Sequence, residues 1–163
     1  MAKEKHKKTN ALRILDTHHV VYTINEYEWT EERGQGIHVV EELDLEPHEV
    51  FKTLVGKGDK TGYVVFCIPV AEELDMKQAA RVSGNKSVEL VAVKELLSIT
   101  GYMRGGCSPV GMKKLFPTYF DATMESQEAV YVSAGLRGMQ MRVNPQDLQS
   151  VVHATFVPLT MDH

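Results

Sequence analysis

The 163-residue chain predicts an α+β fold with a curved, mixed β-sheet, on three observations. Strand-like and short helix-like runs are interleaved along its whole length. Two of the strand runs, Val50–Val55 and Tyr63–Pro69, flank the turn-rich segment GKGDKTG, the pattern of a β-hairpin with a longer loop. A regular alternation of strands and helices is missing, which argues against a doubly wound parallel sheet.

The elements follow in order. Lys3 to Lys8 form a basic patch without apolar anchors, so residues 1–8 predict a flexible basic tail. Thr9 or Asn10 can cap a short helix carrying Ala11, Leu12, Ile14 and Leu15. Val20, Tyr22 and Ile24 alternate with Val21, Thr23 and Asn25, a strand leading to Tyr27. Glu28 to Gly36 reads as a polar loop, and Ile37, Val40 and Leu43 then keep helical spacing. Pro47 suits the first turn of another short helix, where its missing N–H costs nothing. After the hairpin, Ala71 to Val82 is acidic early and basic late, as a helix dipole favours, and Ser83-Gly84 ends it.

Val88 to Val91 reads as a short buried strand, and Val93 to Ile99 as a helix with Leu96 and Leu97 facing inward and Gly101 as its stop. Thr118–Ala122, Ala129–Ser133 and Met139–Val143 read as strands. Pro145 opens a last helix with Leu148, Val151 and Val152 on one face, and Ala154 to Val157 is placed to close the sheet. Neither repeats nor low-complexity segments interrupt the chain, so a single domain over 1–163 is expected.

Composition bounds the function. A quarter of the residues are charged and the net charge is −4, unlike a protein that coats a nucleic-acid backbone. Gripping only the end of a nucleic acid is compatible with it. No apolar run approaches the roughly 18 residues of a membrane span and no signal peptide opens the chain, so no membrane partner is expected. Cys67 and Cys107 belong to no CxxC pattern and suit free thiols in a reducing cytoplasm.

Chemistry concentrates in two places. The run GYMRGGCSPVGMKK, Gly101 to Lys114, pairs Gly105 with Gly106 before Ser108-Pro109 and Gly111. Glycines let a ligand reach backbone N–H groups, and Pro109 stiffens the turn and makes Ser108 extended. Such amide-lined loops bind anions and developing oxyanions; an ordinary tight turn is the bland alternative. The second place is VFKTL, where period 2 puts Phe51, Thr53 and Val55 on one face and Lys52 and Leu54 on the other. Lys52 either snorkels to water from a sheet edge or is a fixed cation for a phosphate or ester oxygen.

Other motifs fall away. GKGDKTG has the wrong spacing for a P-loop. Adjacent His18 and His19 cannot converge on one face, and His6, His153 and His163 lie near the ends, so no metal site and no cofactor are expected. Cys107 has no assignable histidine–acid pair and reads as a packing cysteine. Arg137, in the glycine turn SAGLRG, can donate to a substrate or to solvent.

Taken together, KTNALRIL, VFKTLV, PVAEELDMKQAA, SITGYMRGGCSPVGMKK and YVSAGLRG make the chain resemble the YbaK/EbsC-type Cys-tRNA(Pro) deacylases. These are relatives of the editing domain inserted in bacterial prolyl-tRNA synthetases. The resemblance runs from about Thr9 to the final strand, and the lysine-threonine strand with the GGxSPxG loop is its specific part. It implies a barrel-like central sheet with a pocket at its mouth, and a cytoplasmic trans-editing enzyme. The essential lysine falls on Lys52, the adjacent threonine on Thr53, the glycine-to-proline loop on Gly105–Pro109, a pocket tyrosine on Tyr27, and the later turn on Ser133 and Gly135.

The resemblance further implies hydrolysis of a mischarged aminoacyl-tRNA ester, Cys-tRNA(Pro) first. The substrate thiol attacks its own carbonyl, and a lyase-like release of cyclised cysteine is one outcome. In this scheme Lys52 holds the terminal adenosine or its phosphate, and the amides near Gly105 and Gly106 stabilise the oxyanion. Cys107, Ser108 and Pro109 complete the pocket. The acceptor end of aminoacyl-tRNA and prolyl-tRNA synthetase are the implied partners; with a charge of −4, intrinsic tRNA affinity is expected to be weak. Cys107 and Ala134 depart from the family pattern and bear on pocket size. Two alternatives therefore stay open: a deacylase for another small residue such as Ala-tRNA(Pro), and a non-catalytic module binding a nucleotide or tRNA end.

Overall fold

The computed structural model describes residues 8–30 and 36–161. Residues 1–7 of the predicted basic tail, the middle of the predicted Glu28–Gly36 loop, His6 and His163 lie outside them. The elements are α1 (Asn10–Thr17), β1 (Tyr22–Glu26), α2 (Gly36–Leu43), a 3-10 turn (Pro47–Glu49), β2 (Phe51–Gly58), β3 (Gly62–Pro69), α3 (Met76–Ser83), β4 (Val88–Leu90) and α4 (Val93–Thr100). There follow β5 (Thr118–Asp121), a second 3-10 turn (Ala122–Met124), β6 (Val130–Leu136), β7 (Met139–Val143), α5 (Pro145–Val152) and β8 (Thr155–Val157). Among them, no helix is long and apolar enough to cross a membrane.

The fold is α+β with mixed pairing, as the interleaved patterns predict. Its strands form two sheets rather than one closed barrel: β1-β7-β6, all antiparallel, and β4-β2-β3-β5-β8, with β5 parallel to both neighbours. The sheets face each other across the main core. Phe51, Cys67 and Phe120 come from the larger one, Val132, Ala134 and Met141 from the smaller, and Leu12 and Leu15 of α1 and Leu148 of α5 fill between. Each Val, Leu, Met or Phe side chain among them contributes about 1.5–3 kcal/mol when fully buried. The opposite face of β3 carries Val64, Phe66 and Ile68 against Ala79 and Ala80 of α3. Both faces of β3 are thus covered, which is why GYVVFCIP reads as an unbroken apolar run.

Side-chain caps set the helix starts. Thr9 Oγ1 accepts the Leu12 N–H and donates to the Ala134 carbonyl, so the α1 cap also ties that helix to β6. Asn144 accepts two N–H groups at the start of α5, with Pro145 in its first turn. Asp75 accepts the Gln78 N–H, and this cap starts α3 at Met76 rather than at Ala71 as charge patterning predicts. The preceding residues form a turn, with Leu74 bridged to Thr160.

Three further expectations are corrected. The hairpin loop is short, because β2 and β3 pair as far as Gly58↔Gly62 and only Asp59–Thr61 turn. A Cβ on Gly58 would overlap the buried Asn85 side chain, whose Oδ1 accepts the N–H groups of Lys60 and Thr61. β4 is an edge strand, not a buried one: it pairs only with Gly56–Gly58 of β2, and Glu89 and Leu90 are exposed. Leu97 is 53% exposed. At 100° per residue, α4 can turn Leu96, Ile99 and Thr100 inward only by turning Leu97 out.

Candidate functional site

The two sheets touch where Val50 bridges Tyr131 in parallel, and beyond that point they separate. Among the described residues, 51–54 of β2 have β3 on one side and no strand on the other, because β4 reaches only Gly56–Gly58. A cavity of about 200 Å³ lies along this free edge. Its lining includes Phe51, Lys52, Thr53 and Leu54 from β2 and Ser133 and Gln140 from β6 and β7, with Tyr27, Arg104, Gly105 and Cys107 completing the wall. Side chains of both β2 faces reach it because it lies at the strand's edge, not over one face.

Lys52 brings a partly buried cation to this cavity. Burial lowers its pKa below the ordinary lysine value, against the opposing pull of Glu73 and Glu72. Among the described residues its ammonium has no hydrogen bond and no ion pair within 4 Å. A partly buried charge left without a partner is costly, and a ligand anion or ester oxygen would offset that cost. Next to it, Thr53 Oγ1 lies 3.5 Å from Cys67 Sγ.

The glycine loop forms another part of the wall, with its two glycines in different positions. Gly105 has φ +88 and lines the cavity. Gly106 lies behind the wall: a Cβ there would sit 2.9 Å from the Arg137 nitrogen and 3.1 Å from the Leu136 carbonyl carbon. The Gly106 N–H donates to the Met103 carbonyl at 2.9 Å and is therefore spent. Among the described residues, the N–H groups of Gly105 and Cys107 have no acceptor. Of the donors expected from Gly105 and Gly106, the Gly106 N–H is already bonded, which leaves Gly105 and Cys107 as the loop's candidates.

The sequence-predicted residues divide on position. Lys52, Thr53, Tyr27, Gly105, Cys107 and Ser133 share the cavity. Ser108 is fully buried outside its lining, with Oγ accepting the Val110 N–H, and Pro109 lines a separate apolar hollow beside α5. Gly135, at φ +100, belongs to a bulge where β6 and β7 lose register, and it packs on Tyr102 and Thr9. Its N–H donates to Ser133 Oγ, so Gly135 orients Ser133 rather than lining the cavity. Cys107 is a buried thiol, pushed up to about 12 by burial, in a cluster with Val55, Val65 and Tyr102. Among the described residues, no three His, Cys, Asp or Glu side chains group as a metal site.

Two lining residues escape the sequence reading. Arg104 sits beside the paired glycines. Gln140 is 94% buried, pairs directly with Ser133 on one side and Asn25 on the other, and has an Oε1 with no partner. Its side chain also hydrogen-bonds the Tyr27 phenol; burial raises that phenol's pKa, and the Gly138 backbone and Gln140 oppose the rise. Opposed residues of antiparallel strands share a face, so Asn25, Gln140 and Ser133 form one polar row. A polar residue alternating with Met139 and Met141 is the signal that marks it.

Comparison with known proteins identifies the family. A relative in Enterococcus faecalis, named "Putative Cys-tRNA(Pro)/Cys-tRNA(Cys) deacylase EbsC", is 47% identical over 161 residues, covering 98% of both chains. A solved structure titled as a "putative trans-editing enzyme for prolyl tRNA synthetase" superposes with TM-score 0.79 at 23% identity, over 95% of this chain and 99% of that one. A hypothetical protein superposes with TM-score 0.84 at 19% identity, over 93% and 99%. At these identities the two structures speak for the fold. Residues 36–151 match the aminoacyl-tRNA editing domain, and the chain belongs to that family.

Proposed function

We propose that the chain is an aminoacyl-tRNA deacylase that clears a mischarged amino acid from tRNA, Cys-tRNA(Pro) first. The observation that carries this reading is that Lys52, whose ammonium has no partner among the described residues, lines one cavity with Gly105 and Cys107, whose N–H groups have no acceptor among those residues. Family membership and the name of the Enterococcus relative support the substrate class.

Ester cleavage builds negative charge on the carbonyl oxygen, and preorganised N–H donors stabilise it where water is excluded. Lys52 holds the acylated ribose or its phosphate as a point charge. The unpartnered Gln140 Oε1 takes the substrate's α-ammonium, with Tyr27 and Ser133 beside it. The described cavity offers no activated nucleophile: both cysteines are buried thiols with pKa values pushed up to about 12.

The substrate's own thiol therefore attacks. Its sulfur bonds to the carbonyl carbon, the ester C–O bond breaks, and the ribose hydroxyl leaves with a proton. The cyclised cysteine then opens in water. Such intramolecular attack gains from a high effective molarity once the conformer is fixed. The protein acts in trans, with prolyl-tRNA synthetase delivering the tRNA.

Hydrolysis of cysteinyl-, S-methylcysteinyl- and alanyl-tRNA(Pro) tests this reading. Rapid loss of cysteine alone is expected. Equal loss of the S-methyl ester would overturn the thiol mechanism, and preferred loss of alanine would select the small-residue alternative.

A further inference from the structure

Arg137 has no part in the chemistry above, yet its placement is specific. Its guanidinium carbon lies 3.9 Å from the centroid of the Trp29 ring, and its Nε donates to the Arg104 carbonyl at 2.8 Å. Arg104 lines the cavity, and a Cβ on Gly106 would meet the Arg137 backbone nitrogen. The stack therefore stands beside the cavity wall, fastened to the loop that supplies the donors. Among the described residues no carboxylate pairs with Arg137, and Nε is the only guanidinium nitrogen with a hydrogen-bond acceptor.

An arginine held by a ring and a carbonyl keeps its charge uncompensated and its plane fixed. Trp29 backs one face of that plane. A flat, delocalised cation laid over an aromatic ring matches the shape of a nucleobase, which stacks on guanidinium planes and aromatic rings alike. The ester and the base of an acylated terminal nucleotide sit on the same ribose. A cavity for one thus calls for a surface for the other within a sugar's width.

We propose that the Trp29–Arg137 stack seats the terminal nucleobase of the acceptor end, the base lying on the guanidinium face turned away from Trp29. Arg104 and Gly105 then pass the ribose into the cavity. The inference rests on the reading that the cavity receives an acylated ribose. It assigns base recognition to Arg137 and leaves the phosphate and ester to Lys52.

Trp29 is the chain's single tryptophan, so its fluorescence reports directly on the stack. The probes are the trinucleotide CCA and the same molecule with an abasic terminal sugar, which keeps every phosphate. The full chain should show a saturable change in emission with CCA and bind the abasic form about tenfold more weakly. Arg137→Ala should reduce CCA affinity to that of the abasic form, and Arg137→Lys should not restore it, since an ammonium has no plane.

Equal binding of the two trinucleotides to the wild-type chain would overturn the proposal, and that comparison stands even if a variant fails to fold. Wild-type affinity for CCA in a folded Arg137→Ala protein, checked by circular dichroism, would also overturn it. Cys-tRNA(Pro) hydrolysis by the same wild-type preparation separates the two readings. Turnover without base selectivity removes the nucleobase seat alone; base selectivity without turnover removes the deacylase and keeps the seat.

Discussion

Lys52 of β2 and Ser133 of β6 each stand two residues beyond the Val50–Tyr131 bridge, and both line one cavity. The bridge holds the two sheets together at one point, and the loss of pairing after it opens the space. The sheet edge that would ordinarily invite another strand is used here as a wall.

The cation in that wall costs stability. Its folded-state pKa is depressed, so the unfolded chain binds the proton more tightly and the penalty is full at neutral pH. Stability rises as pH climbs from the depressed value toward the ordinary lysine value. Lys52→Met should therefore melt level with the wild type or about 2–4 °C above it at pH 7. The gap should close toward pH 10, read by thermal melts across pH.

Cys107 tests the absence of a protein nucleophile. Burial keeps its thiol neutral far above neutral pH. Cys107→Ala should change single-turnover deacylation by less than about tenfold, whereas loss of a nucleophile costs on the order of 10⁴–10⁶-fold. In the native protein at pH 8, both thiols should react slowly with an alkylating reagent and rapidly once urea is added.

Gly106 tests the packing behind the loop. Its absent Cβ would meet backbone atoms of Leu136 and Arg137, which cannot rotate aside. Gly106→Ala should cost about 1–3 kcal/mol in urea unfolding, with an unchanged m-value.

Gln140 tests substrate capture. Gln140→Leu removes a buried oxygen that has no partner together with the hydrogen bond to the Tyr27 phenol, so about 1 kcal/mol of stability should be lost. The KM for cysteinyl-tRNA should rise about tenfold, with a smaller change in kcat, if Oε1 takes the α-ammonium.

Much of this was legible in the chain. Thr9, Pro145 and Gly84 mark helix ends by local chemistry, and local chemistry is what a sequence displays. Lys52 stood out because a charge interrupts an apolar strand. What a sequence does not display is which strand edge stays open. The free side of residues 51–54 depends on β4 being three residues long, and the split into two sheets depends on β1 choosing β7. Gln140 was missed because its meaning comes from cross-strand neighbours far away in sequence. Ser108 and Pro109 share a motif with Gly105 but turn away from the cavity, which spacing alone does not reveal.

Single-turnover hydrolysis of Cys-tRNA(Pro) by Lys52→Ala tests the central claim most directly. Removing the fixed charge that holds the acylated ribose or its phosphate should slow the reaction on the order of 10²-fold, in a protein that still melts cooperatively. A rate within about twofold of wild type would contradict the assignment of Lys52 to this chemistry.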